Sequence, residues 1–65
     1  MLTEQRQEEI LKLLDQKGSV TLQELKEYFH TSESTIRRDL NALDKMGALT
    51  KVFGGAVKQE GRIRT

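Results

Sequence analysis

Apolar residues recur along the first two-thirds of the chain with the period of a helix, in three blocks. Ile10, Leu13 and Leu14 form the first, with Leu11 on its flank; at about 3.6 residues per turn they share one side of a helix. Thr3 is placed to cap it, Glu4 complements the positive end of the helix dipole and Lys17 the negative end. Gly18 can take the left-handed conformation that closes such a run, so a helix is expected over residues 4–17. Leu22, Leu25, Tyr28 and Phe29 form the second block and predict a wide apolar face on a helix that stops near His30. Thr21 with Glu24 three residues on is a capping box, in which each side chain satisfies an unpaired backbone N–H at the helix start. Ile36, Leu40 and Leu43 form the third, in a helix expected over residues 32–46, with Ser32 as its cap and Gly47 as its stop.

Only His30 and Thr31 separate the second helix from the cap of the third, and two short helices joined this tightly make a helix-turn-helix. Beyond Gly47 the periodicity changes. Residues 48–53 and 56–58 are extended formers around Gly54-Gly55, a pair suited to the positive φ that hairpin turns require. Alternation places Leu49, Lys51 and Phe53 on one face and Ala48, Thr50 and Val52 on the other, without deciding which face packs. Ser19 to Thr21 is long enough only for a turn or a brief extended piece; paired with the hairpin's edge it would add a third strand to a ribbon that alone is marginal in water. The expected fold is α+β, mainly α: a winged helix-turn-helix of three helices plus a C-terminal β-hairpin wing. The domain is expected over residues 1–58, with 59–65 a flexible tail or the start of a linker to a domain not contained in this chain.

Composition narrows the choices. A chain of 65 residues makes one domain, which buries only about 60% of the surface its unfolded form exposes. Without cysteine there is neither a disulfide framework nor a thiolate zinc site, which suits a reducing compartment. There is no apolar run long enough for a membrane span and no amino-terminal leader pattern, so a soluble cytoplasmic chain is expected. The net charge of +1 argues against a nucleic-acid partner, but its distribution argues for one. Residues 1–34 carry four bases against seven acids, a net −3, while residues 35–65 carry seven bases against three acids, a net +4. Such a dipole orients a domain on a polyanion.

Opposite the stripe of the third helix fall Ser34, Arg37, Arg38, Asn41 and Lys45. These are donors for phosphate oxygens and for the major-groove edges of guanine and adenine; the plainer reading is a solvated charged face. Ser34 and Thr35 lie in the first turn, nearest base edges or a phosphate, with Thr35 on the flank, where structural and functional roles weigh equally. Ser32 is first a cap, Glu33 a partner for the helix dipole, and Asp39, beside the stripe, a salt-bridge partner that orients an arginine or ties the helix to Arg6. Asn41 and Lys45 face either the DNA backbone or water, and Lys51 and Lys58 on the wing are candidate phosphate contacts. Arg62 and Arg64 belong to a minor-groove arm or to an unstructured terminus. His30, a single histidine without clustered carboxylates, is a surface residue rather than a metal ligand. No nucleophile with a base, no metal cluster and no phosphate-cradling glycine loop suggests an enzyme, and no cofactor is expected.

Arg6, Ile10 and Leu14, then Ser32, then Thr35-Ile36-Arg37-Arg38-Asp39-Leu40, then Gly54-Gly55-Ala56 follow in order and spacing the amino-terminal domain of the DeoR family of bacterial transcription regulators, which this chain resembles over nearly its whole length. Phe53 departs from the pattern, since such proteins usually carry His before the paired glycines; it is expected either to pack inward or to lie on the wing surface. The resemblance implies a winged helix that sets its third helix in the major groove of an operator, with Ser32, Ser34, Thr35, Arg37, Arg38, Asn41, Lys45, Lys51 and Lys58 as the candidate DNA-binding residues. It further implies a repressor of a sugar-metabolism operon, whose larger absent domain senses a phosphorylated sugar and holds the oligomer together, leaving this piece monomeric. The alternative is a winged-helix module whose basic face meets an acidic protein.

Overall fold

The computed structural model describes residues 2–58. Six elements follow one another: α1 (Thr3–Lys17), β1 (Ser19–Thr21), α2 (Leu22–Phe29), α3 (Glu33–Lys45), β2 (Leu49–Val52) and β3 (Gly55–Lys58). The expected winged helix-turn-helix is present, with β1 as the third strand. Residues 59–65, with Arg62 and Arg64, lie outside the described residues.

The helix ends are set by local chemistry. α1 begins one residue earlier than expected: its cap is Leu2, not Thr3, and Gln5 Oε1 accepts the Leu2 amide at 3.3 Å. It closes at Gly18, whose φ of 86° lets its N–H reach the Leu14 carbonyl at 2.7 Å. Thr21 and Glu24 form the complete capping box of α2: the Glu24 amide donates to Thr21 Oγ1 at 3.1 Å and the Thr21 amide to Glu24 Oε2 at 2.8 Å. α2 ends at His30, which takes a left-handed φ of 54°, a conformation His tolerates better than most residues. After this short turn Ser32 Oγ accepts the Thr35 amide at 3.3 Å and opens α3. At its other end, Ala48 N–H donates to the Leu43 carbonyl at 2.9 Å and Gly47 N–H to that of Asp44 at 3.0 Å, the paired bonds of a Schellman motif.

The core gathers Ile10 and Leu14 of α1, Val20 of β1, Leu25 of α2, Ile36, Leu40 and Leu43 of α3, Leu49 of β2 and Ala56 of β3. The stripe expected on α3 is thus buried throughout. On α2 the apolar face is narrower than expected: Leu22, Leu25 and Phe29 follow the three-four spacing inward, whereas Tyr28, one position off it, is half exposed and stands edge-on to Phe29 at 4.8 Å between ring centroids.

The sheet has the order β1-β3-β2, both pairings antiparallel, so the last strand in sequence is the middle one in space. Leu49 and Ala56 choose the packed face that alternation left open; Thr50 and Val52 face out. Lys51 is opposite Ala56 but lies past the edge of the core and is exposed. The hairpin turn is Phe53-Gly54, not Gly54-Gly55, because Val52 and Gly55 already form the last pair of the ladder. Only the second turn residue has positive φ, 82° at Gly54, as in a type II turn. Gly55 is needed for a different reason: a Cβ there would lie 2.1 Å from the Val20 carbonyl oxygen and 2.9 Å from Thr21 Cα. Its bareness lets β1 approach β3.

Candidate nucleic-acid interface

Burying Ile36, Leu40 and Leu43 fixes which way the rest of α3 points. Ser34, Arg37, Arg38, Asn41 and Lys45 are all exposed, as the angular spacing requires, and Thr35 is half-buried on the flank. The first turn of α3 is a cluster of hydroxyls: Ser32 Oγ lies 3.0 Å from Thr35 Oγ1 and 3.3 Å from Ser34 Oγ. These oxygens sit at a helix N-terminus, whose unpaired N–H groups and dipole favour an anion.

Behind α3, Asp39 is buried and holds the helix to α1. It accepts from Arg6 Nε, from Arg6 Nη2 at 3.2 Å and from Gln7 Nε2 at 3.5 Å, so the guanidinium fork grips both carboxylate oxygens. The bond to Asp39 raises the Arg6 pKa above its already high ordinary value, against the opposing pull of burial, and keeps the cation charged. Of the two roles expected for Asp39, orienting an arginine or tying the helix to Arg6, the structure has the tie to Arg6 of α1. Arg37 and Arg38 remain outward: Arg38 has no ion pair among the described residues, while Arg37 Nη2 lies 2.8 Å from Glu33 Oε2, one turn back on the exposed face. The four-residue spacing of Glu33 and Arg37 carried that pairing in the sequence, where Glu33 reads more simply as a partner for the helix dipole.

The wing stands beside α3, and an open groove runs between them. Glu33, Arg37 and Asn41 line it from the helix and Lys51, Val52, Phe53 and Gly54 from the hairpin, over Leu22, Leu40 and Gly55. The Lys51 amide donates to Asp44 Oδ1 at 3.3 Å and pins β2 to the end of α3. Phe53 does not pack inward: it is fully exposed at the wing tip, since a two-residue turn projects its first side chain away from the sheet. Lys45 lies in the last turn of α3, outside the groove. Lys58 is not brought to the groove at all; it sits at the base of the wing opposite Leu49, with Nζ 2.9 Å from Asp15 Oδ1 of α1. The groove brings Arg37 and Asn41 of α3 together with Lys51 of the wing; Ser34, Arg38 and Lys45 are exposed on α3 without lining it, Ser32 and Thr35 stand at the helix start, and Lys58 lies apart.

The described residues hold no group of three or more His, Cys, Asp or Glu placed to bind a metal, and no described helix is long and apolar enough to cross a membrane. A cationic helix face and a basic wing flanking one groove can donate hydrogen bonds to a polyanion and to base edges.

Residues 6–62 match the family model described as the DeoR-like helix-turn-helix domain. The chain is 43% identical over 56 residues to a lactose phosphotransferase system repressor of Streptococcus mutans, an alignment covering 86% of this chain and 22% of that protein. It is 49% identical over 53 residues to the HTH-type transcriptional regulator GolR of Listeria innocua, covering 82% of this chain and 21% of the relative. A lactose phosphotransferase system repressor of Staphylococcus epidermidis is 47% identical over 51 residues, 78% of this chain and 20% of its own length. The chain thus spans about a fifth of the length of the curated relatives it matches. No solved structure matches it.

Proposed function

Because the chain belongs to the DeoR-like helix-turn-helix family, a family of transcription regulators rather than enzymes, we propose that it is the operator-reading module of a bacterial sugar-operon repressor. α3 enters the major groove with Arg37 and Arg38 foremost. The observation that carries this reading is the outward row of α3, held there by the buried Ile36, Leu40 and Leu43 on the opposite side. Ser32, Ser34 and Thr35 meet a phosphate at the helix N-terminus or the nearest base edge. Asn41 reads adenine or holds backbone, and Lys51 from the wing and Lys45 from the last turn take phosphates. Lys58, paired with Asp15 at the far end of the sheet, contributes least.

The relatives' names support a sugar operon as the target, since those in Streptococcus mutans and Staphylococcus epidermidis are lactose phosphotransferase system repressors. On this reading the chain works in the cytoplasm as a monomeric piece spanning residues 1–58. A larger domain beyond it takes a phosphorylated sugar as effector and holds the oligomer together.

The test is selection of duplexes from a random-sequence library by the 65-residue chain, followed by titration of the winners at several salt concentrations. A shared sequence should emerge, and log K should fall with log salt at a slope of about 0.9 per neutralised phosphate. Random winners bound with no salt dependence would overturn the proposal in favour of an acidic protein partner.

A further inference from the structure

Phe53 stands fully exposed at the apex of the wing, beside Val52, which is itself 42% exposed. A single exposed apolar residue is ordinary on a protein surface; the setting of this one is not. The tip beneath it is fixed: Leu22 N–H donates to the Gly54 carbonyl at 2.9 Å, and Gly55 is pressed against the backbone of Val20 and Thr21. The ring therefore projects from a braced turn, at the mouth of a groove lined by Arg37 with its partner Glu33, by Asn41 and by Lys51. An apolar ring on a braced turn, with Lys51 beside it, complements a surface that is anionic at its edges and apolar between them. DNA offers this at the minor groove, where phosphates border a stack of bases whose faces an inserted side chain can reach.

Resting on the reading of α3 as the element that enters the major groove, we propose that Phe53 is a wedge: it enters the minor groove beside that site, partly unstacks one base step and bends the duplex. Lys51, two residues before it on β2, holds a bordering phosphate while the ring is inserted. The step it favours is a pyrimidine–purine step, which unstacks more readily than others, so the wedge adds sequence preference at a position no hydrogen bond reads.

The chain contains no tryptophan, so Phe53→Trp installs a single fluorescent indole at the tip. Titrated with a duplex selected from a random-sequence library by the unaltered chain, that indole should be quenched as it stacks on a base, and energy transfer between dyes at the duplex ends should report a bend. Phe53→Ala should keep the circular dichroism of the parent, lose roughly tenfold in affinity and leave the duplex straighter. Phe53→Leu, which retains an apolar wedge, should keep much of the bend. An unquenched indole, or a Phe53→Ala chain that binds as tightly and bends as much as the parent, would overturn the wedge. So would burial of the indole without DNA in a chain that sediments as a dimer, which would make the tip a self-association contact. If Arg37→Ala weakens binding while Phe53→Ala does not, the wedge alone is wrong; if the parent selects no sequence, the reading of α3 falls with it.

Discussion

Asp39 is the buried charged residue among those described, and its burial is tolerated because Arg6 and Gln7 of α1 meet both its oxygens. Asp39→Asn keeps the volume but removes the charge, and should destabilise the domain by about 2 kcal/mol, read as a lower urea midpoint. Arg6→Lys should weaken the same joint, because an ammonium cannot reproduce a planar fork. Arg38 is the complementary case. It is exposed and has no ion pair among the described residues, so Arg38→Ala should leave the unfolding free energy from urea titration within about 0.5 kcal/mol of the parent while weakening binding to a selected duplex by roughly 1–3 kcal/mol. At this scale the sequence spoke through periodicity: the angle of each α3 residue from the Ile36–Leu43 stripe is enough to separate Arg37 and Arg38 from Asp39. It offered Lys58 as a phosphate contact and could not show its partner Asp15, which lies on another element. It left Phe53 open, because alternation does not say where a strand ends.

Among the elements, the wing shows most plainly why a local pattern can name a structure and still misplace it. Gly54-Gly55 predicts a tight hairpin, but the residues alone allow the turn to fall on either side of Gly54. The choice is made by β1, which presses on Gly55 from a position more than thirty residues earlier in the chain. The two glycines should therefore respond differently to substitution. Gly54→Ala meets no atom within 4 Å and suffers only the strain of a φ of 82°, about 1–2 kcal/mol. Gly55→Ala drives a methyl into the Val20 carbonyl and should lose roughly 3 kcal/mol, with the amides that bond β1 to β3 losing protection from hydrogen exchange. α2 carries a pH dependence of its own. The hydrogen bond from Lys17, and after it the Thr21 amide, hold the Glu24 carboxyl below the ordinary carboxylate range, against burial pulling upward. A folded value below the unfolded one contributes stability that is complete above the unfolded value and is lost as pH falls through the folded one. The melting temperature should thus decline below about pH 4, and Glu24→Gln should lower it at neutral pH and flatten that part of the profile.

For the whole molecule, charge has a polarity along the chain: residues 1–34 carry an excess of acid, and the described residues 35–58 carry five bases against two acids. That polarity was legible from counting charges, and the three-helix order from counting spacings. The strand order was not, since nothing local in Ser19 to Thr21 says which edge it joins. That edge belongs to β3, which bonds β1 on one side and β2 on the other. A strand gripped from both flanks resists a lengthwise pull through two ladders together, whereas an edge strand has one. A load applied lengthwise at Lys58 would therefore have to be borne by both ladders at once, and the hairpin could not slide without dragging β1 with it.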